Sequence, residues 1–328
     1  MADEKISVIM STYKEKREWI ELSIESILGQ TYQNIEFLVI IDDPYNMEIK
    51  NIIYRYVTKD SRIKIFENEE NRGLVYCLNK GLKMATGKYI ARMDADDISE
   101  KNRIEEELCY LKRHNLDLVG SDIVAINENS DILSKTATKM PVNDRCVNYI
   151  LRYRNCLLHP TWLGKKELFE KLSGYRDIKY CEDYDFLLRA VLLGARIGNI
   201  PQPLLRYRYN YYGISRQNRA EQRCIAYLLS QNRKMINRLS PARINSFPFS
   251  KNGQKEIEKM RIYFETSKNA LQDKINGNYI EFLKKGIKIL RISYGRTSAY
   301  ITLLIKLLVI TERAFTSGDY QNTVFNCG

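Results

Sequence analysis

An α/β fold, with a mainly parallel central sheet covered by helices on both faces and a helical extension after it, is what this 328-residue sequence predicts. Two observations carry the expectation. Through the first hundred residues, short and almost wholly apolar runs alternate with segments of helical periodicity. Such runs mark strands buried on both faces, and parallel neighbours need a crossover helix between them. The second observation is charge. Residues 1–200 hold 30 Lys and Arg against 32 Asp and Glu, whereas residues 201–328 hold 22 against 8. The whole basic surplus of the chain, +12, therefore lies beyond residue 200 and sets that region apart.

The elements follow in order. Ile6-Ser7-Val8-Ile9-Met10 has the composition of a strand, and Trp19, Ile20, Ile24, Ile27 and Leu28 recur at helical spacing up to Gly29, a natural helix stop. The run 35–41 (IEFLVII) is a second strand. Ile49, Ile52, Ile53, Tyr56 and Val57 occupy the i, i+3, i+4, i+7 and i+8 positions of one helical face. Residues 63–66 are strand-like, Leu74, Leu78, Leu82 and Ala85 mark a helix, and 88–93 close the βαβαβαβ series.

Ligands of open α/β sheets sit beyond the carboxyl ends of the strands. Here those ends carry Ser11-Thr12-Tyr13-Lys14-Glu15, Asp42-Asp43, the segment 67–73 with Asn71 and Arg72, and Asp94-Ala95-Asp96-Asp97. The first βα turn has no glycine, so neither a dinucleotide-binding turn nor a phosphate-binding P-loop is present. A bound nucleotide would need its phosphates neutralised by another device. Asp94-x-Asp96-Asp97 offers the hard oxygen ligands that Mn2+ or Mg2+ prefers. The competing reading is that Asp97 or Ser99 caps the helix bearing Ile104, Leu108 and Leu111.

Composition narrows the classes further. With 44% hydrophobic and 28% charged residues the chain can bury a core. Its longest apolar run, 299–310, is interrupted by Lys306 and too short to span a bilayer. The N-terminal residues lack the layout of a secretion signal, and seven cysteines without a C-x-x-C pair fit free thiols in a reducing cytoplasm. Two histidines and no cysteine cluster argue against structural zinc.

With these residues in view, the sequence resembles the family 2 glycosyltransferases, inverting enzymes with the GT-A fold. The likeness rests on residues 6–13 (ISVIMSTY), Gln30-Thr31-Tyr32, Ile40-Ile41-Asp42-Asp43 and Asn71-Arg72-Gly73. It continues through residues 85–90 (ATGKYI), the cluster at 94–97, Gly174-Tyr175 and Glu182-Asp183-Tyr184-Asp185. It runs from about residue 5 to 215. It implies a GT-A catalytic domain over 1–217, with a nucleotide-binding half (1–97) and an acceptor-binding half (98–217), before a basic helical region over 218–328. Similar enzymes build capsule and O-antigen from nucleotide sugars, most often UDP-sugars.

The resemblance also implies roles. Ser11 and Tyr13 would contact the nucleoside, Asp43 the base with Asp42 beside it, and Arg72 the nucleoside edge. Asp94 would face the ribose or donor sugar, Asp96 would ligate the metal, and Asp97 would support it. Asp183 would be the general base, a role worth about 10²–10⁴-fold, with Asp185 the rival and Glu182 adjacent. His159 would line the acceptor pocket. Arg208 would approach the diphosphate, although Tyr209 and Asn210 stand where the family usually has histidine.

Beyond residue 218 the likeness fades. Leu283, Ile287, Leu290 and Tyr294 form one helical face, and Lys284, Lys288 and Arg291 a neighbouring one. The segment either packs on the catalytic domain or lies on anionic lipid. The expected partners are thus a UDP-sugar, a glycan or lipid-linked oligosaccharide acceptor, and through the C-terminal region an anionic membrane. The expected location is the cytoplasm, peripheral at the inner face of the cell membrane. Two enzyme readings differ in the acceptor: a growing polysaccharide, or a polyprenyl phosphate directly. A basic nucleic-acid-binding protein is the alternative from another class; the acidic strand-end cluster and the lack of an RNA-binding motif argue against it.

Overall fold

The computed structural model describes residues 4–133, 139–209 and 218–291, together with the helical positions 307, 309, 310, 312 and 313. Asn210, Tyr294 and most of 299–310 lie outside the described residues. Strands β1 (Ile6–Thr12), β2 (Ile35–Ile41), β3 (Ile63–Glu67) and β4 (Tyr89–Asp94) alternate with helices α1 (Arg17–Leu28), α2 (Met47–Val57) and α3 (Leu74–Met84), as the periodicity predicts. There follow β5 (Ile98–Ser99), α4 (Arg103–Arg113), β6 (Leu118–Ile126), α5 (Asp144–Leu151), β7 (Leu163–Lys165), α6 (Lys166–Lys171), α7 (Glu182–Leu192) and β8 (Ile197–Arg208). The sheet order is β3-β2-β1-β4-β7-β6-β8-β5. Pairing is parallel from β3 to β4 and between β6 and β8, while β7 and β5 run antiparallel to their neighbours.

Strand alternation explains why helices cover both faces. Ile6, Val8 and Met10 of β1 point with Phe37, Val39 and Ile41 of β2 into one apolar cluster, which also takes Ile20, Ile24, Ile49 and Ile53 from α1 and α2. Ile9, Leu38, Ile40 and Ile90 point into the other, with Leu78 of α3 and Phe186 of α7.

Several polar motifs turn out to be stitches that set the strand ends. Gln30, buried, donates from Nε2 to Ser26 O, Ser99 Oγ and Glu100 O, and accepts from Ile104 N, so one amide ties α1 to β5 and the start of α4. The Glu36 carboxylate, buried beneath the sheet's N-terminal edge, accepts from Ser7 Oγ, Thr86 N, Thr86 Oγ1 and Gly87 N. A Cβ on Gly87 would stand 2.7 Å from Lys5 O and Ser7 N, which is why that turn needs glycine.

The chain continues with α8 (Arg219–Gln231), α9 (Pro241–Ser246), α10 (Lys251–Ile275) and α11 (Tyr279–Arg291). Ile225, Leu229, Ile236 and Ile244 belong to the same apolar cluster as Trp162 and Phe186, so the core runs across residue 217. Among the described residues no helix is long and apolar enough to cross a membrane. Cys77, Cys146, Cys156, Cys181 and Cys224 are free thiols. Cys109 is disulfide-bonded, a departure from the expectation of free thiols throughout.

Candidate active site

The four parallel strands end at one edge, and register decides which residues meet there. Ser11 lies beside Ile40 of β2 and opposite Asp94 of β4. Beyond it the chain turns sharply: Lys14 takes a left-handed φ of 64°, a strained conformation for a lysine, and its Nζ stands 4.9 Å from the centre of the exposed Tyr13 ring. Glu15 holds this turn, accepting from Thr12 Oγ1 (2.7 Å) and Tyr13 N (2.6 Å).

Asp42 and its neighbour Asp43 have different environments. Asp42 is buried and fully engaged: Oδ1 accepts from Asn68 Nδ2 (2.7 Å) and Arg72 N (2.8 Å), and Oδ2 from Gly73 N (2.8 Å). It therefore folds the segment after β3, whose Gly73 has φ 80° and precedes α3. Asp43 remains half-exposed beyond it. Arg72 points outward, pairing with Glu70 and stacking 4.7 Å from the centre of the Tyr76 ring.

Asp94, Asp96 and Asp97 follow β4, and one carboxylate oxygen from each lies within 4.8 Å of the others. Burial, followed by the charges of Asp94 and Glu15, pushes the Asp96 carboxyl up to about 7. Burial and the same crowding raise Asp97, whose Oδ1 accepts from Arg208 N at 2.7 Å while its buried Oδ2 has no partner among the described residues. Carboxylates packed this tightly repel one another, so the donor set and its excess negative charge fit a divalent cation on the more open Asp94 and Asp96.

Helix α7 brings the second acidic group. Glu182 and Asp183 begin it and are half-buried; burial pushes Glu182 up to about 8, with Asp183 adding to the effect, and burial pushes Asp183 up to about 6. The charge of Asp94 also works, more weakly, against ionisation of both. Asp183 is oriented by Asn155 Nδ2 (2.7 Å to Oδ2) and by Tyr184 N (2.6 Å to Oδ1). Asp185, two residues on, is fully buried and bound by Arg176 and Arg189.

Two weaker candidates are also placed. His159, in a buried 3₁₀ turn at His159–Thr161, shares a 2.9 Å hydrogen bond through Nε2 with Tyr175 Oη, and burial holds it well below the usual histidine range. Arg208 donates Nε to Asp96 O, Nη1 to Asn127 O and Glu128 O, and Nη2 to Ser130 Oγ, so its guanidinium ties the end of β8 to the acidic loop.

Three contributors escaped the sequence reading. Arg92, two residues before Asp94 and buried, forms an ion pair with Asp94, and its charge opposes the rise of the Glu182 carboxyl. Its spacing from Asp94 was visible, but nothing in the sequence says that the side chain turns along the strand. Glu15 and Asn155 act only through contacts made in the folded chain.

A mixed, mainly parallel sheet between helices, with an acidic cluster at its carboxyl edge, is the architecture of the GT-A fold. The sequence profile described as Glycosyl transferase family 2 matches residues 7–173, and the chain belongs to that family. It is 34% identical over 230 residues to the O-antigen biosynthesis glycosyltransferase WbnJ of Escherichia coli, covering 70% of this chain and 89% of that protein. The mannosyltransferase PcManGT of Pyrobaculum calidifontis, solved with GDP-Man and Mn2+, superimposes with a TM-score of 0.56 at 16% identity, covering 94% of this chain and 87% of that one. Residues 1–349 of TarS from S. aureus, solved with UDP-GlcNAc, give 0.55 at 17% identity, covering 96% and 92%.

Proposed function

We propose that this enzyme is a metal-dependent inverting glycosyltransferase that moves a sugar from a UDP-sugar to a hydroxyl of a growing lipid-linked or surface polysaccharide. The observation that carries the reading is the Asp94, Asp96 and Asp97 carboxylate cluster after β4, whose Asp94 charge is also felt by Glu182 and Asp183 at the start of α7. WbnJ, an O-antigen enzyme, supports the class of product.

Asp94 and Asp96 would hold Mn2+ or Mg2+, whose charge would offset that of the donor diphosphate and of the departing UDP. Ser11, Tyr13 and Asp43, at or just beyond the carboxyl ends of β1 and β2, would hold the nucleoside, with Arg72 at its edge. Asp42 shapes that wall by fixing the segment at 71–73. Asp97 and Arg208 brace the acidic loop from behind. His159 and Tyr175 would wall the acceptor side. Asp183, held by Asn155, would take the proton of the acceptor hydroxyl as its oxygen bonds to the anomeric carbon and the bond to UDP breaks on the opposite face. A lipid-linked acceptor would bring the enzyme to the inner face of the cell membrane.

Thermal unfolding with UDP, GDP, CDP, ADP and TDP, each with and without Mn2+, tests the donor site. A ligand at 100 times its Kd stabilises by about 2.7 kcal/mol. Stabilisation by UDP that requires Mn2+ is the expected result. Preference for GDP, the nucleotide carried by the donor bound to PcManGT, would change the donor, and no response to any nucleotide would overturn the reading.

A further inference from the structure

Helix α11 leaves an apolar face uncovered. One side of it packs on α10: Lys285 pairs with Asp273, and Lys274 stands 5.9 Å from the centre of the Phe282 ring. On a different side of the helix, Tyr279, Ile280, Leu283 and Ile287 are 63%, 71%, 62% and 54% exposed, and Ile275 at the end of α10 is exposed as well. Single exposed apolar residues are ordinary, whereas a contiguous row on one helical face marks a contact surface. The sequence left open whether this face turns to the catalytic domain; no described residue covers it.

Charge says what covers it. The exposed Lys284 and Lys288 border the apolar row, Lys284 in an exposed 2.6 Å ion pair with Glu281, and over 275–291 four basic residues (Lys284, Lys285, Lys288, Arg291) stand against that one acidic residue, a net charge of +3. We infer that Tyr279, Ile280, Leu283 and Ile287 seat on an anionic lipid bilayer, with Lys284 and Lys288 at the level of the headgroups. An amphipathic helix of this layout gains from both apolar burial and attraction to acidic lipid. A second copy fits less well, because self-pairing of the apolar rows would bring two lysine borders together.

The inference gives the proposed lipid-linked acceptor a surface at which to meet the enzyme, yet vesicle binding needs no donor sugar, so either reading can fail while the other stands. The full chain is sedimented with vesicles of phosphatidylcholine alone or with about one third phosphatidylglycerol, at low and high salt. Pelleting with the anionic vesicles only, weakened by salt, is expected. Leu283→Gln with Ile287→Gln should lower partitioning at least about tenfold, and Lys284→Gln with Lys288→Gln about fivefold per lysine. All four side chains are exposed, and an unchanged circular dichroism spectrum checks the fold. Absence of pelleting, or equal pelleting of the apolar variant, would overturn the inference. So would a concentration-dependent dimer that the same apolar substitutions dissolve, since the face would then join two copies.

Discussion

Asp183 and Asp185 sit two positions apart at the start of one helix, yet their surroundings differ: Asp183 is half-buried beside Asn155, whereas Asp185 is enclosed by arginines. Asp185 is buried between Arg176 and Arg189 and has no access to an acceptor. Removing its charge leaves two guanidinium groups facing a neutral amide, so Asp185→Asn should cost about 3–5 kcal/mol. At about 2–4 °C per kcal/mol for a chain of this size, thermal unfolding should fall by roughly 10 °C. Asp183→Asn should keep the contact with Asn155 and the melting temperature, while transfer falls about 10²–10⁴-fold. A fold-intact Asp183→Asn with full activity would move the base elsewhere. The proton balance gives a further check. A base must be ionised to act, and burial raises Asp183 to about 6, so the transfer rate should climb as pH rises through that value. A rate limb near 8 would point to Glu182 instead.

At the scale of an element, α4 shows how much of the scaffold the sequence concealed. Arg103 is fully buried and donates Nη1 to Pro160 O (2.8 Å) and Nη2 to Arg92 O (3.0 Å), joining the turn of His159 to the strand that carries Asp94. Glu107, one turn on, has among the described residues only Arg103 Nε at 3.8 Å, and burial pushes its carboxyl up to about 8. A carboxyl that binds its proton more tightly when folded favours the folded state most at low pH. That contribution fades as pH rises from about 4.5 through about 8. Glu107→Gln should therefore lose less stability than the natural chain across this range; identical slopes would mean that Glu107 is not the group titrating. Periodicity located α4 through Ile104, Leu108 and Leu111 because apolar spacing is a local property. It could not show that an R-x-x-x-E pair on the same helix is buried, since an exposed i, i+4 pair has the same spacing. The strand-end motifs were legible for the converse reason: parallel register carries neighbours in topology to one edge whatever lies between them. Gln30 and Asp42 were read as marks of the likeness, but their work as backbone anchors emerges only from their partners across the sheet.

The molecule as a whole is held by a contact that neither local pattern nor family likeness anticipates. Arg313 donates to both oxygens of Asp122 (2.6 and 2.7 Å) in β6 and to Met140 O, while Glu312 accepts from Val142 N at 2.8 Å just before α5. Asp122 is buried where the β6–β8 register shifts, and burial raises its carboxyl against the pull of Arg313. Together with Ile225, Leu229, Ile236 and Ile244 in the common core, this makes the basic C-terminal region a structural partner of the part of the sheet that carries β6 and β8. Arg313→Met should strand the Asp122 charge and cost about 3 kcal/mol, as removal of one member of a buried pair does. Asp122→Asn in the same chain removes the stranded charge, so the double variant should be more stable than Arg313→Met alone. The difference from additivity, read from chemical unfolding of the four chains, measures the coupling. Additive losses would mean that the two ends of the chain are joined by apolar packing, with the ion pair contributing nothing to holding them together.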